Sequence, residues 1–530
     1  MKRMLLLSAA LVVSTWAVAQ THRPRPMGTE RPVIMRMPAD TNQPAHRAPE
    51  RPERTDMKHK PHPKQAPKTD PRPVAKADAT PHKKHHKASR PQQVRITPYG
   101  FVRNYFDFDS RATYTVVGGE YNIIPYDEDW NLSESDAQYV GAERADLNAV
   151  PNARFQAIST RIGLDLHGPQ VLGMHSSGKV EGDFGGFGTN NTVFRIRQAY
   201  VQLSKTDTIL STSVVDSTVR KSALYRELLV GQTWHPLGGD IMPEVVGMAA
   251  GSPFRPHSRT PQVRGLVQNG NWNFTLALLY QVQYMNNGPQ WNGTSWTSTN
   301  STSYALNAIV PEVFLGVGYR DKHIYTQLGA DLQTLRPRTF GIMPYNGQDV
   351  RVRVKENVIS FTPTLYFQYT EDKFALKCRT LLASNTSHLN QLVGYGVTGV
   401  SPDGSWEYSP LRASISYLNI AYGKKYRFNL FLGYMKNLGA SADLYNFGSS
   451  AADPLYYIYL KGDDNFTHLN SLYRFAPSIS YNVKAFNLGL EYEFTAATYG
   501  DWNSNGSIAN NSNLHQVVNH RICALVKYNF

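Results

Sequence analysis

Leu514-His515-Gln516-Val517-Val518-Asn519-His520-Arg521-Ile522-Cys523-Ala524-Leu525-Val526-Lys527-Tyr528-Asn529-Phe530 is the stretch whose pattern decides the fold. Val518, His520, Ile522, Ala524, Val526, Tyr528 and Phe530 fall on one face, and Asn519, Arg521, Cys523, Lys527 and Asn529 on the other. Alternation of this kind is the period-two signal of a strand with one apolar and one polar side.

The same signal recurs upstream. Phe486, Leu488, Leu490, Tyr492 and Phe494 alternate with Asn487, Gly489, Glu491 and Glu493, and Tyr473, Phe475, Ile479 and Tyr481 alternate with Arg474, Ser478 and Ser480. Sixteen such segments can be drawn, at 96–108, 154–168, 174–185, 193–206, 225–234, 260–269, 271–284, 306–320, 323–336, 356–371, 373–385, 409–422, 425–438, 467–482, 485–499 and 514–530. Tight turns fall at Asn269-Gly270, Arg320-Asp321-Lys322, Glu371-Asp372, Gly423-Lys424 and Val483-Lys484, and long polar connections such as Asp501–Asn513 alternate with them. Short turns on one side and long loops on the other describe an all-β transmembrane antiparallel barrel of about 16 strands. A terminal Phe on an amphipathic strand is similar to the C-terminal signal of such barrels. Leu392–Gly399 is either an extra strand or loop structure, and the connection Lys205–Leu224 is long for a periplasmic turn. A soluble sandwich would also alternate. It would not carry outward faces as continuously apolar as Ile359, Phe361, Leu365, Phe367 and Tyr369, nor 31 Tyr suited to interfacial girdles.

The start of the chain fixes the compartment. Lys2 and Arg3 precede an apolar run from Met4 to Ala19 that ends Ala17-Val18-Ala19, the form of a secretory signal peptide cleaved before Gln20. The run is too short for a membrane-spanning helix, and no later apolar stretch reaches 18 residues, so any spanning part is β. Residues 20–95 form a basic tail. From 21 to 95 it holds 14 Pro, 7 His, 18 Lys plus Arg and 7 Asp plus Glu, a composition that cannot bury a core and predicts disorder. Of the chain's +14, the tail carries +11 and the leader +2, leaving +1 for the barrel, residues 96–530. The basic character is therefore no sign of a nucleic-acid partner. A tail of this charge in the periplasm suits an anionic envelope polymer such as peptidoglycan, or serves as a solvated spacer. His82-Lys83-Lys84-His85-His86-Lys87 interleaves lysines and lacks Cys, so no metal is assigned to it. Cys378 and Cys523, the two cysteines, fall on unlike strand faces and are not expected to pair.

A sixteen-stranded barrel leaves room for an aqueous lumen. By parity the lumen carries Arg161 and Asp165; Lys179, Glu181 and Asp183; Arg195 and Arg197; Lys377 and Arg379; Arg412; Arg427; Arg474; Glu491 and Glu493; Arg521 and Lys527. Arg195 and Arg197 are expected to pair with Glu181 and Asp183 on the neighbouring strand. Arg379, Arg412, Arg427 and Arg474, on four consecutive strands, predict a basic ladder on one wall. Residues 237–261 follow the fifth strand and hold Gly238, Gly239, Pro243, Gly251, Pro253 and Pro256, which argue against regular structure. Ile241, Met242, Val245, Val246, Met248 and Phe254 are too apolar for an exposed tip, so this third long loop is expected to fold inward as a constriction, with Asp240, Glu244, Arg255 and Arg259 as its charges. Gly238 and Gly239 permit the turn. For a barrel enzyme, His235, His257, His468 and His520 are the candidate bases, but none sits in a recognisable motif, and no catalytic residue or cofactor is assigned.

Ser159-Thr160-Arg161-Ile162-Gly163-Leu164, then Glu181-Gly182-Asp183-Phe184, Arg195-Ile196-Arg197-Gln198-Ala199-Tyr200 and Gly231-Gln232-Thr233-Trp234, in that order, resemble the DcaP-like group of outer-membrane porins. The motifs cover about residues 155–265. The resemblance implies a homotrimeric diffusion channel in the outer membrane of a Gram-negative bacterium, with lipid around it, small hydrophilic solutes passing through it, and lumen roles for Arg161, Glu181, Asp183, Arg195 and Arg197. Members often carry a coiled-coil extension; residues 21–95 show no heptads. An envelope tether, in which the barrel anchors a peptidoglycan-binding tail, is the alternative reading.

Overall fold

A computed structural model describes residues 94–530 apart from 118, 120, 187–192, 213–218, 240, 250, 449–456, 462–467 and 510–512. The expected leader and all but the end of the basic tail lie outside the described residues, as does Asp240. Sixteen strands form one closed antiparallel barrel. They are β1 (Arg95–Asp109), β2 (Asn152–Gln156, continued by Arg161–Val171), β3 (Met174–Gly186), β4 (Val193–Thr212), β5 (Val219–Trp234), β6 (Arg259–Asn269), β7 (Trp272–Leu279) and β8 (Glu312–Arg320). The second half comprises β9 (Ile324–Leu335), β10 (Val358–Glu371), β11 (Phe374–Ser384), β12 (Arg412–Gly423), β13 (Tyr426–Gly439), β14 (Leu469–Val483), β15 (Phe486–Tyr499) and β16 (His515–Asn529).

The ring closes where β1 meets β16, with Phe101 opposite Asn529 and Asp109 opposite Arg521. Phe530 completes the seam: its backbone N–H and C=O exchange 3.1 Å bonds with Gly100. A Cβ at Gly100 would lie 2.5 Å from the Phe530 ring, so the terminal aromatic packs where only glycine leaves room. β2 breaks at residues 157–160, and its two halves pair with separate parts of β1. Arg103 fills the break, donating from its backbone N–H to Thr160 Oγ1 at 3.2 Å and from Nε to Ser159 Oγ at 3.2 Å.

Strand parity sorts the side chains. Along β7, Trp272, Phe274, Leu276 and Leu278 point outward and are about half exposed, while Asn273, Thr275, Ala277 and Leu279 are buried inside. The same split puts Ile359 and Phe361 outside and Ser360, Thr362 and Thr364 inside on β10. An apolar exterior over a polar interior is the arrangement that lipid imposes on a barrel.

Three local expectations differ from the structure. The segment 306–320 begins as a short helix, Ser303–Ala308, and becomes strand only at Glu312; Ala and Leu favour the helical turn, and Pro311 separates it from the strand. The stretch 271–284 stops being strand at Leu279. The connection Lys205–Leu224 is mostly strand, since β4 and β5 stay paired out to Thr212 opposite Val219. Tyr395–Val400 is a strand that pairs with Trp406–Pro410 outside the barrel.

Candidate functional site

The loop between β5 and β6, here loop 3, is tied at its neck by His235 N–H to Ser258 C=O, 3.0 Å. Gly239, at φ +57°, takes the left-handed conformation that lets the chain turn after Pro236. From there the loop crosses the lumen. In a ring of sixteen the wall opposite β5 and β6 is β13 and β14, and loop 3 docks on that wall and its flanks. Lys377 Nζ on β11 donates to Met242 C=O at 2.9 Å. Asn419 on β12 brackets Glu244, accepting from its N–H at 2.7 Å and donating to its C=O at 3.2 Å. Arg427 on β13 grips the Glu244 carboxylate with Nε at 2.7 Å and Nη2 at 2.9 Å, and Lys377 adds a 3.3 Å ion pair.

Further along, Glu491 on β15 accepts both Val246 N–H, 2.8 Å, and Gly247 N–H, 2.9 Å. Tyr105 OH on β1 donates to Val246 C=O at 3.1 Å, and Arg474 Nη1 on β14 donates to Ser252 C=O at 2.8 Å. Phe254 is fully buried over Gly433 of β13, where a Cβ would come within 2.4 Å of its ring. Backbone amides removed from water must find partners, and the barrel wall supplies them one by one. The apolar loop residues that sequence reading could not place pack here: Val246, Met248 and Phe254 are all buried.

Two other long loops enter the lumen. The loop after β1 inserts Tyr121–Pro125, all buried. Asn122 Nδ2 donates to Glu493 Oε1 at 2.7 Å, and Tyr499 OH donates to Pro125 C=O at 2.7 Å. The loop after β11 reaches loop 3 through His257 N–H to Leu389 C=O, 2.8 Å. Sequence reading missed both insertions. The Tyr121-Asn122-Ile123-Ile124 run was a legible signal, since three large apolar residues in four are unusual in an exposed loop.

The charges sort into two groups. On β2 to β4, Arg195 Nε meets Asp183 Oδ1 at 2.7 Å, Arg197 Nε meets Glu181 Oε1 at 3.0 Å, and Arg197 also pairs with Asp183. Arg161 Nη1 lies 3.4 Å from Glu181 Oε2. Arg255 and Arg259 join this group around Trp234, 5.2 and 4.7 Å from its ring centre. Arg161, Arg195 and Arg197 thus share two carboxylates, Glu181 and Asp183, with Arg255 and Arg259 close by. Arg259 Nε donates to Gln283 Oε1 at 2.8 Å, but its Nη1 and Nη2 are buried without a hydrogen-bond partner among the described residues. His257, beside them in loop 3, is held well below its ordinary pKa by burial and by Arg255 and Arg259, so it adds no further charge.

On the opposite wall the four arginines of the expected ladder do not form a level row. Arg379 sits opposite Tyr417, and Tyr417 opposite Gly433, which pairs with Arg474. Arg412 lies five residues from that row toward the long loops, an odd step that puts it on the face of Ser414 and Leu418, away from the inward Ala413, Ile415 and Tyr417. Arg427 is opposite Gly423, six residues from the row the other way, so the set is spread over roughly 35 Å of wall and Arg412 is not on its inner side. Arg427 and Arg474 clamp loop 3, and Arg474 also meets Glu493 at 3.3 Å. Arg379 is buried against the Tyr366 ring, 5.1 Å from its centre, with no carboxylate partner among the described residues.

The four histidines do not converge on one centre. His520 faces outward beside Tyr492 and His468 bonds Gly500. His235 joins His388 and Glu312, whose ligand-capable atoms lie within 4.8 Å of one another. Their hydrogen bonds argue against a metal. Leu237 N–H donates to His235 Nδ1 at 3.2 Å, which leaves the proton on Nε2, pointing at Glu312 Oε1, 2.7 Å away; a metal would need that lone pair. The cluster is a clamp joining loop 3 and the loop after β11 to β8.

The geometry is that of an outer-membrane barrel: sixteen antiparallel strands, apolar outside, with the third long loop crossing a charged lumen. The chain shares its fold with the outer membrane channel DcaP of Acinetobacter baumannii, at TM-score 0.51 and 14% identity over 82% of this chain and 97% of that one. OmpT of Vibrio cholerae (TM-score 0.41, 11% identity, 82% and 98% covered) and Salmonella typhi OmpF (0.31, 9%, 82% and 97%) also align. No protein-family model and no curated protein matches the sequence.

Proposed function

We propose that the protein is an outer-membrane porin, a passive diffusion channel for small hydrophilic solutes, with loop 3 as its constriction. The observation that carries this reading is the crossing of the lumen by loop 3, anchored on the far wall by Arg427, Asn419 and Glu491. A barrel serving only as an anchor has no need of a loop so placed. Beneath the loop, at the short-turn end, Glu244, Val246, Arg427, Asn429, Ser480 and Asn482 line a polar cavity of about 310 Å³. In this reading Arg161, Glu181, Asp183, Arg195, Arg197, Lys377, Arg379, Arg427, Arg474, Glu491 and Glu493 face the pathway or set its loops, and Glu244, Arg255 and Arg259 shape the narrow zone. The protein works as a homotrimer with its tail in the periplasm.

The guanidinium donors of Arg259 and Arg379 that find no hydrogen-bond partner among the described residues favour anions in the narrow zone, because arginines there outnumber carboxylates and the excess positive charge raises the local potential. Single-channel recording in planar bilayers tests the proposal. Stable steps, in triplets for a trimer, are expected, and R259Q with R379Q should move the reversal potential toward cations. Silence from a correctly folded protein would overturn the porin reading, and an unmoved reversal potential would overturn the anion preference.

A further inference from the structure

The long-loop end carries a cleft that the channel does not use. It lies between the hairpin Asn287–Trp291/Trp296–Asn300, in the loop after β7, and the hairpin Phe340–Tyr345/Gln348–Arg353, in the loop after β9. Its volume is about 540 Å³, within the range of small-molecule sites. Trp291 and Trp296 face each other as a cross-strand pair, ring centres 5.3 Å apart, and Phe340 continues the arc 5.5 Å from Trp296. All three rings are only partly covered.

These rings differ from the aromatic cluster beneath them. Tyr395, Trp406 and Tyr459 are buried and form an ordinary satellite core. Between the two layers Arg338 is fixed: Nε donates to Glu356 Oε2 at 3.1 Å and Nη2 to Gly404 C=O at 2.9 Å, while the guanidinium stacks 3.6 Å over Trp406 and 4.9 Å over Trp296. Glu356 also accepts from Trp406 N–H at 2.6 Å and Tyr408 OH at 2.8 Å. The aromatic wall therefore rests on a rigid floor whose charge is internally balanced.

What remains free in the lining is neutral and polar. Gln290, Asn300 and Asn307 make no side-chain hydrogen bond to another described residue, and no carboxylate is among the described residues that line the cleft. Arg351 is the exposed charge, lying 4.9 Å over Phe340. Partly exposed indole and phenyl faces bordered by unpaired amides suit a ligand that is apolar on its faces and hydroxyl-rich on its edges.

We propose that this cleft binds a neutral saccharide, its ring faces stacking on Trp291 and Phe340 and its hydroxyls bonding Gln290, Asn300 and Arg351. The shared chemistry has two sources, free oligosaccharide outside the cell and the sugar portion of lipopolysaccharide in the same leaflet.

The test uses the full chain in detergent, and its readout is independent of conductance. Tryptophan fluorescence and calorimetry are followed during titration with gluco-, galacto- and manno-trisaccharides, and separately with core oligosaccharide released from lipopolysaccharide by mild acid. Saturable binding is expected, weakened about tenfold in W291A, a loss of about 1.4 kcal/mol of the size an aromatic contact supplies. Trisaccharide binding alone identifies a captured solute, and core binding alone a membrane contact; either supports the site. No saturation with any of the four, or an affinity equal in W291A, overturns it. Should W291A fail to fold, N300A and F340A carry the same comparison.

Discussion

Replacing Glu244 by Gln should loosen loop 3 without unfolding the barrel. The carboxylate accepts two bonds from Arg427, at 2.7 and 2.9 Å, and lies 3.3 Å from Lys377, with its side chain 30% exposed. Hydrogen bonds to charged groups contribute about 1.5–3 kcal/mol, and exposed ion pairs about 0.2–1 kcal/mol. A half-covered bidentate pair falls between them, near ~1.4 kcal/mol, or about a tenfold change in an equilibrium. The Asn419, Glu491 and Arg474 anchors remain in E244Q, so the effect should appear as a tenfold rise in the open or flickering substates of single channels, with unfolding temperature nearly unchanged. The pH dependence has a defined sign. Burial raises the Glu244 pKa, but hydrogen bonding from Arg427 and the charges of Lys377 and Arg427 outweigh it and hold the group below its ordinary value. A depressed carboxyl contributes its docking energy in full above about pH 4.3 and loses it as pH falls through the lower, docked-state pKa. The contribution of Glu244, read as the difference between wild type and E244Q, should stay constant from pH 8 to 5 and shrink only in stronger acid. Identical gating of the two proteins at neutral pH would refute the latch.

Other outcomes follow from the same contacts. Gly433→Ala places a methyl group 2.4 Å from the Phe254 ring, so it should cost about 1–3 kcal/mol and raise conductance as the loop is pushed off β13; a lowered melting temperature with unaltered conductance would mean that Phe254 yields without moving the loop. Arg338→Ala strands Glu356 in a buried site, a loss of about 3–5 kcal/mol; the hairpins around 340–353 and 395–410 should become protease-sensitive while channel currents persist. Deleting residues 21–95 should abolish pull-down by isolated peptidoglycan if the +11 tail is a tether, and equal pull-down would leave it a spacer.

The barrel was legible in the chain because strand parity is local: lipid on one side and water on the other force a choice at every second residue, and that choice is written in β16 from Val518 to Tyr528. Turn chemistry at Gly270 and Gly423 set the hairpins for the same reason. Pairing of Arg195 and Arg197 with Glu181 and Asp183 was legible too, since adjacent strands bring inward residues face to face. Sequence could also state that residues 237–261 were too apolar to be a free tip. It could not state where they went. That Val246 and Gly247 give their N–H groups to Glu491, some 245 residues away, or that Tyr121 meets His257 at 3.1 Å, depends on the diameter of the closed ring and on which wall lies opposite. The same limit applied to Arg427 and Arg474, which by parity alone were inward cations. Only closure of the barrel decided that their partners would be a loop from the other side.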